Sequence, residues 1–94
     1  MTAYWIVRVT VTDSEKYAEY AERAGAAVGQ FGGRFHARGG TCVTKEGCER
    51  LRNVIVEFPT FDEALACYDS PAYQDALSYQ VGAADRDFCI VEGV

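Results

Sequence analysis

The residue types that could do chemistry are concentrated in Arg34-Phe35-His36-Ala37-Arg38, a segment framed by Gly32-Gly33 and Gly39-Gly40. It contains the chain's only histidine. Read as a strand, its alternation puts Arg34, His36 and Arg38 on one face and Phe35 and Ala37 on the other. His36 is the one side chain whose unperturbed pKa lies near neutrality, so it is the candidate general acid or base. Guanidinium groups on either side would suit a carboxylate or an enolate. On this reading His36 and Arg38 are the catalytic pair, and Arg34 assists binding. The ordinary alternative is a packed or exposed histidine with arginines paired to Glu57, Glu92 or a partner's acids. A metal or haem ligand is the weakest role for His36, because nothing else in the sequence supports such a site.

Other candidates are spread along the chain. Trp5, Tyr17, Tyr20 and Tyr73 could line an apolar pocket, although aromatic side chains fill cores as readily. Asp13 is either a helix cap or a pocket carboxylate. Tyr73 and Gln74 follow a proline-started turn and could stand at a pocket mouth. Four cysteines, Cys42, Cys48, Cys67 and Cys89, form no C-x-x-C pair and fit no zinc spacing. Free thiols are expected, with a Cys42–Cys48 bridge across a turn as the rival. There is no nucleophile elbow, phosphate loop or dinucleotide fingerprint. No metal and no cofactor is called for.

Composition excludes several classes. The net charge is −5, which would repel a nucleic-acid backbone. The apolar runs are too short to span a bilayer. With 49% hydrophobic residues the chain is not a disordered one. No leader-like pattern opens the sequence, so a cytoplasmic location is expected. A length of 94 residues suits one domain, 1–94, of limited burial, for which a partner subunit would help.

The elements that must position these residues follow in order. Ala3 to Val11 is a strand with one wholly apolar face (Ala3, Trp5, Val7, Val9, Val11) and one mixed face (Tyr4, Ile6, Arg8, Thr10). Two-sided apolarity suggests a sheet covered on both sides, the second cover coming from another subunit. Thr12 with Glu15 forms a capping box, Asp13 is an alternative cap, and a helix follows to about Gly29. After the Arg34–Arg38 strand, Glu46-Gly47 reads as a turn tip and Leu51 to Phe58 as a strand. Thr60 and Glu63 form a second capping box. Ser70-Pro71 interrupts that helix and restarts it. Gly82 to Asp87 reads as a polar connection and Asp87 to Glu92 as the last strand. The order strand, helix, strand, strand, helix, strand predicts an α+β, ferredoxin-like βαββαβ fold: a four-stranded antiparallel sheet with two helices on one face.

The sequence resembles the small bacterial proteins grouped as domain of unknown function 1330, within the dimeric α/β-barrel superfamily. The likeness runs through Tyr4-Trp5-Ile6-Val7, Asp13, Tyr20, Gly32-Gly33-Arg34, Arg38-Gly39-Gly40, Glu57-Phe58-Pro59, Ser70-Pro71-Ala72-Tyr73-Gln74 and Val91-Glu92-Gly93. It implies a homodimer that joins through its sheet faces. It implies no known activity. Where the family often has an arginine about seven residues after the turn tyrosine, this chain has Gln80, which puts a shared anionic ligand in doubt.

Two readings of function stay open. One is a cofactor-free enzyme that moves a proton on a small acidic or aromatic molecule, with His36 and Arg38 at its centre. The other is a non-catalytic dimer that binds a small molecule or serves as a scaffold.

Overall fold

The first strand, β1 (Ala3–Val11), alternates buried Ala3, Trp5, Val7 and Val9 with half-buried Tyr4, Ile6 and Arg8. That period-two pattern fixes which face meets the helices. The computed structural model describes all 94 residues. Asp13 caps α1 (Ser14–Gln30), its carboxylate accepting from the Lys16 N–H at 3.1 Å. The helix ends where Gly32 takes φ +74°, a left-handed conformation that glycine adopts without a Cβ clash. Gly33 follows at a close approach: a Cβ there would stand 2.5 Å from Val28 Cγ1 and 2.9 Å from Phe58 Cε1.

The chain then forms β2 (Arg34–Arg38), a long loop, and β3 (Arg52–Phe58). The 39–51 loop carries no strand ladder, and Cys42 and Cys48 stand exposed in it as free thiols. Its end is tied to the sheet by Arg50, which pairs with Asp85 and Asp87, and by Arg8, which donates to the Cys48 carbonyl at 3.0 Å.

Thr60 caps α2 (Phe61–Asp69), accepting from the Glu63 N–H. Ser70 then serves two helices. Its hydroxyl donates to the Cys67 carbonyl at 2.7 Å and accepts from the Tyr73 N–H at 3.2 Å, opening α3 (Pro71–Ser78). The expected second helix is therefore two segments that meet at Ser70-Pro71. The last strand, β4 (Ala84–Glu92), begins three residues earlier than the expected Asp87.

The four strands form one antiparallel sheet in the order β2-β3-β1-β4. A single cluster of buried residues fills the space between the sheet and the helices, centred on Trp5, Phe58 and Tyr73. Trp5 packs against Phe58, Tyr73 and Phe88 at centroid distances of 4.9, 5.0 and 5.0 Å. Its indole N–H donates to the Ala64 carbonyl, so the ring's one polar atom is satisfied in the core.

One expectation fails at β2. Arg34 pairs with Glu57 and Phe35 with Val56, but the next pairs are Ala37 with Ile55 and Arg38 with Val54. A bulge at His36 inserts one residue and reverses the alternation beyond it. Arg34, His36 and Arg38 therefore do not share a face. His36 stays on the outer side, where its Nε2 lies 2.9 Å from Glu57 Oε1. Arg38 turns to the side that carries the helices.

Candidate functional site

A narrow cleft lies between α1 and the sheet. Its floor comes from the apolar faces of β1 and β3, including Trp5, Val7 and Val54, and its roof from Tyr17, Tyr20 and Ala24. The helix stripe and the strand alternation each deliver these side chains to the interior, where the two faces fail to close completely. Three arginines enter this otherwise apolar space: Arg38, Arg52 and Arg86.

None of the three has a carboxylate oxygen within 4.0 Å; the ion pairs of the fold are His36–Glu57, Arg50–Asp85 and Arg50–Asp87. Arg38 lays its guanidinium over the Phe35 ring at 4.2 Å. Arg52 lies 6.0 Å from the Tyr17 ring, and its Nε is buried with no hydrogen-bond partner. An unpaired buried donor of this kind costs free energy, on the order of 1–3 kcal/mol, unless something else accepts from it.

Arg86 is held differently. Its Nη1 donates to the Tyr20 hydroxyl at 2.8 Å and its Nη2 to the Tyr73 hydroxyl at 3.3 Å. The two hydroxyls are themselves 2.7 Å apart. Burial pushes both phenols above their ordinary pKa, and the neighbouring Arg86 charge only partly opposes this. Burial also works against the charge of Arg86, but the two phenol oxygens more than offset it and the guanidinium stays cationic. Each phenol oxygen accepts from Arg86, and one phenol must donate to the other. Tyr73 is fully buried and Tyr20 faces the cleft. Either hydroxyl can be the donor in the bond between them.

The other candidates from the sequence lie elsewhere. Asp13 is a surface helix cap. Gln74 is exposed and donates to the Tyr68 carbonyl at 2.7 Å. Arg34 is exposed beside Glu57. Gln80 sits in the turn after α3, outside the cleft. Trp5, Tyr17, Tyr20 and Arg38 do meet in one place, and Tyr73 backs them through its hydroxyl. Sequence reasoning missed Arg52 and Arg86. The signal for Arg86 was present in the Ala84, Arg86, Phe88, Ile90 alternation, which extends the final strand backwards through a segment of loop-like composition.

These features define a ferredoxin-like α+β protein with an apolar, arginine-studded cleft under its first helix. The chain belongs to the family described as Domain of unknown function (DUF1330), whose model matches residues 2–94. Among solved structures it is similar to a protein of unknown function from Rhodopseudomonas palustris, with TM-score 0.79, 18% identity, and 99% of this chain and 82% of that one covered. A dimeric ferredoxin-like protein from Jannaschia sp. CCS1 gives TM-score 0.78 at 12% identity, covering 99% of this chain and 100% of the other. SnoaB, a cofactor-independent oxygenase from Streptomyces nogalater, gives TM-score 0.69 at 11% identity, covering 99% and 93%. At such identities the likeness is one of fold. No protein of curated function matches the sequence. No helix is long and apolar enough to cross a membrane.

Proposed function

We propose that this protein binds a small acidic molecule with an apolar body in the cleft between α1 and the sheet. The observation that carries the reading is the set of three guanidinium groups without acid partners in a chain whose net charge is −5. Fourteen acidic residues were available to pair with them, and none does. An anion entering the cleft would meet charge-assisted donors in a site of reduced dielectric, where each such bond counts for more than in water. The apolar floor and the tyrosine roof suit an aromatic or aliphatic body.

The working assembly in this reading is a homodimer. The dimeric neighbours share its fold, and the outer face of the sheet has no helix over it. The test of the ligand is a thermal-shift and calorimetry screen against small carboxylates, phenols and lactones. A ligand at a hundredfold its dissociation constant adds about 2.7 kcal/mol of stability, and Arg38→Ala or Arg52→Gln should reduce the gain. A flat screen at millimolar ligand overturns the reading.

Catalysis in the same cleft is the second reading, supported by the fold shared with a cofactor-independent oxygenase. The catalytic pair expected from the sequence needs His36 and Arg38 in one site, and they lie on opposite faces of the sheet. A reaction in the cleft would draw on the Tyr20 proton instead. Turnover of a bound hit that Tyr20→Phe removes and His36→Ala leaves intact would support this reading.

A further inference from the structure

We infer that the ligand carries two acidic groups, one at each end of its apolar body, held by two separate cationic centres. This rests on the reading of the cleft as an acid-binding site. The separation is built into the register. Val9 of β1 pairs with Arg52 on one side and with Arg86 on the other. The two arginines thus start two strand spacings apart, roughly 10 Å between backbones. Arg52 places its Nη1 over Gly39 at the end of β2, where a Cβ would come within 2.6 Å of it. Arg86 places its guanidinium against the Tyr20 and Tyr73 hydroxyls.

The space between the centres is aromatic. Arg52 approaches the Tyr17 ring, Arg86 approaches the Tyr20 ring at 4.9 Å, and the two rings lie 5.0 Å apart. Arg38 belongs to the Arg52 end. It pairs with Val54 on the same sheet face, and its Nη2 lies 3.3 Å from the position a Cβ on Gly25 would take. Glycines thus stand at both points, Gly25 and Gly39, where a side chain would crowd a guanidinium. The buried, unpartnered Nε of Arg52 marks this end as incomplete. A monoacid can satisfy only one end.

The test is calorimetry of the intact protein with acids of graded span (succinate, adipate, suberate and the benzenedicarboxylate isomers), each against its monomethyl ester. A diacid of matching span should bind about tenfold to a hundredfold more tightly than its ester, the worth of one charge-assisted contact. Arg52→Gln should erase that difference, so that diacid and ester bind alike. Arg52→Lys keeps the charge and should retain part of it, which separates loss of an anchor from loss of fold. Diacid and ester binding equally well would overturn the two-centre inference while the acid-binding reading stands. No binding by any member would overturn both.

Discussion

Arg86 Nη1 donates to the Tyr20 hydroxyl at 2.8 Å, joining the edge strand β4 to α1 across the mouth of the core. The same guanidinium reaches Tyr73 on α3, so one side chain links three elements that are distant in sequence. A half-buried cation with two phenol oxygens as its acceptors is held by hydrogen bonds rather than by an ion pair. That leaves its full positive charge available to a ligand.

Removing the acceptors should therefore cost more than removing the cation. Tyr73→Phe is expected to destabilise by about 1–2 kcal/mol, since it strips a hydrogen bond from a buried donor. Tyr20→Phe combined with Tyr73→Phe should cost more still. Arg86→Met should recover part of the loss in that background, because an apolar side chain of similar reach leaves no charge to satisfy. Urea denaturation of the cycle measures it, with a coupling of about 0.5–3 kcal/mol expected between residues in direct contact. Additive effects would show that the three groups do not act together.

Alkaline sensitivity follows from the same burial. Burial pushes the Cys67 thiol up to about 12 from 9.0, and pushes the Tyr20 and Tyr73 phenols above 10.0. The folded chain holds these protons more tightly than the unfolded chain. Their contribution is present in full below the unfolded values and is lost as pH rises through the folded ones. Urea midpoints should be insensitive to these groups near neutrality and fall from about pH 9 upward. Cys67→Ala should delay the onset of the fall toward the phenol range, at some cost in cavity. A midpoint that stays level to about pH 11 would contradict the burial argument.

The fold was legible because its signals are local. Asp13, Thr60 and Ser70 each cap a helix, and Gly32 stops one. The apolar alternation of β1 names the buried face before any partner strand is known. The site was legible only in part. Trp5, Tyr17, Tyr20 and Arg38 were within reach of pattern reading, whereas the His36 bulge was not. A bulge is set by how β2 meets β3, and that inserted residue moves Arg38 to the opposite face from the one alternation assigns. Arg86 sits in a stretch of small and charged residues that resembles a loop until its pairing with Val9 is seen. Arg52 looks like a solvated strand-end residue, and only the fold shows its Nε shut away from water.

The uncovered face of the sheet yields the last prediction. Ile55, Ile6 and Cys89 form one row across β3, β1 and β4, and Tyr4 with Val91 forms part of the next. Val91 is 46% exposed, and no helix packs over this side. In a chain this small, an apolar row of that kind is ordinarily covered by another surface. If a second copy covers it, sedimentation velocity at micromolar concentration should return a dimer. Ile6→Asp would place a carboxylate in the centre of that contact, where burial without a partner is strongly unfavourable. The variant should sediment as a monomer with an unchanged far-ultraviolet circular dichroism spectrum, since in the isolated chain the position faces water. Ile55→Asp, its neighbour in the row, should do the same. A wild-type chain that sediments as a monomer, or aspartate variants that remain dimeric, would move the contact away from this face.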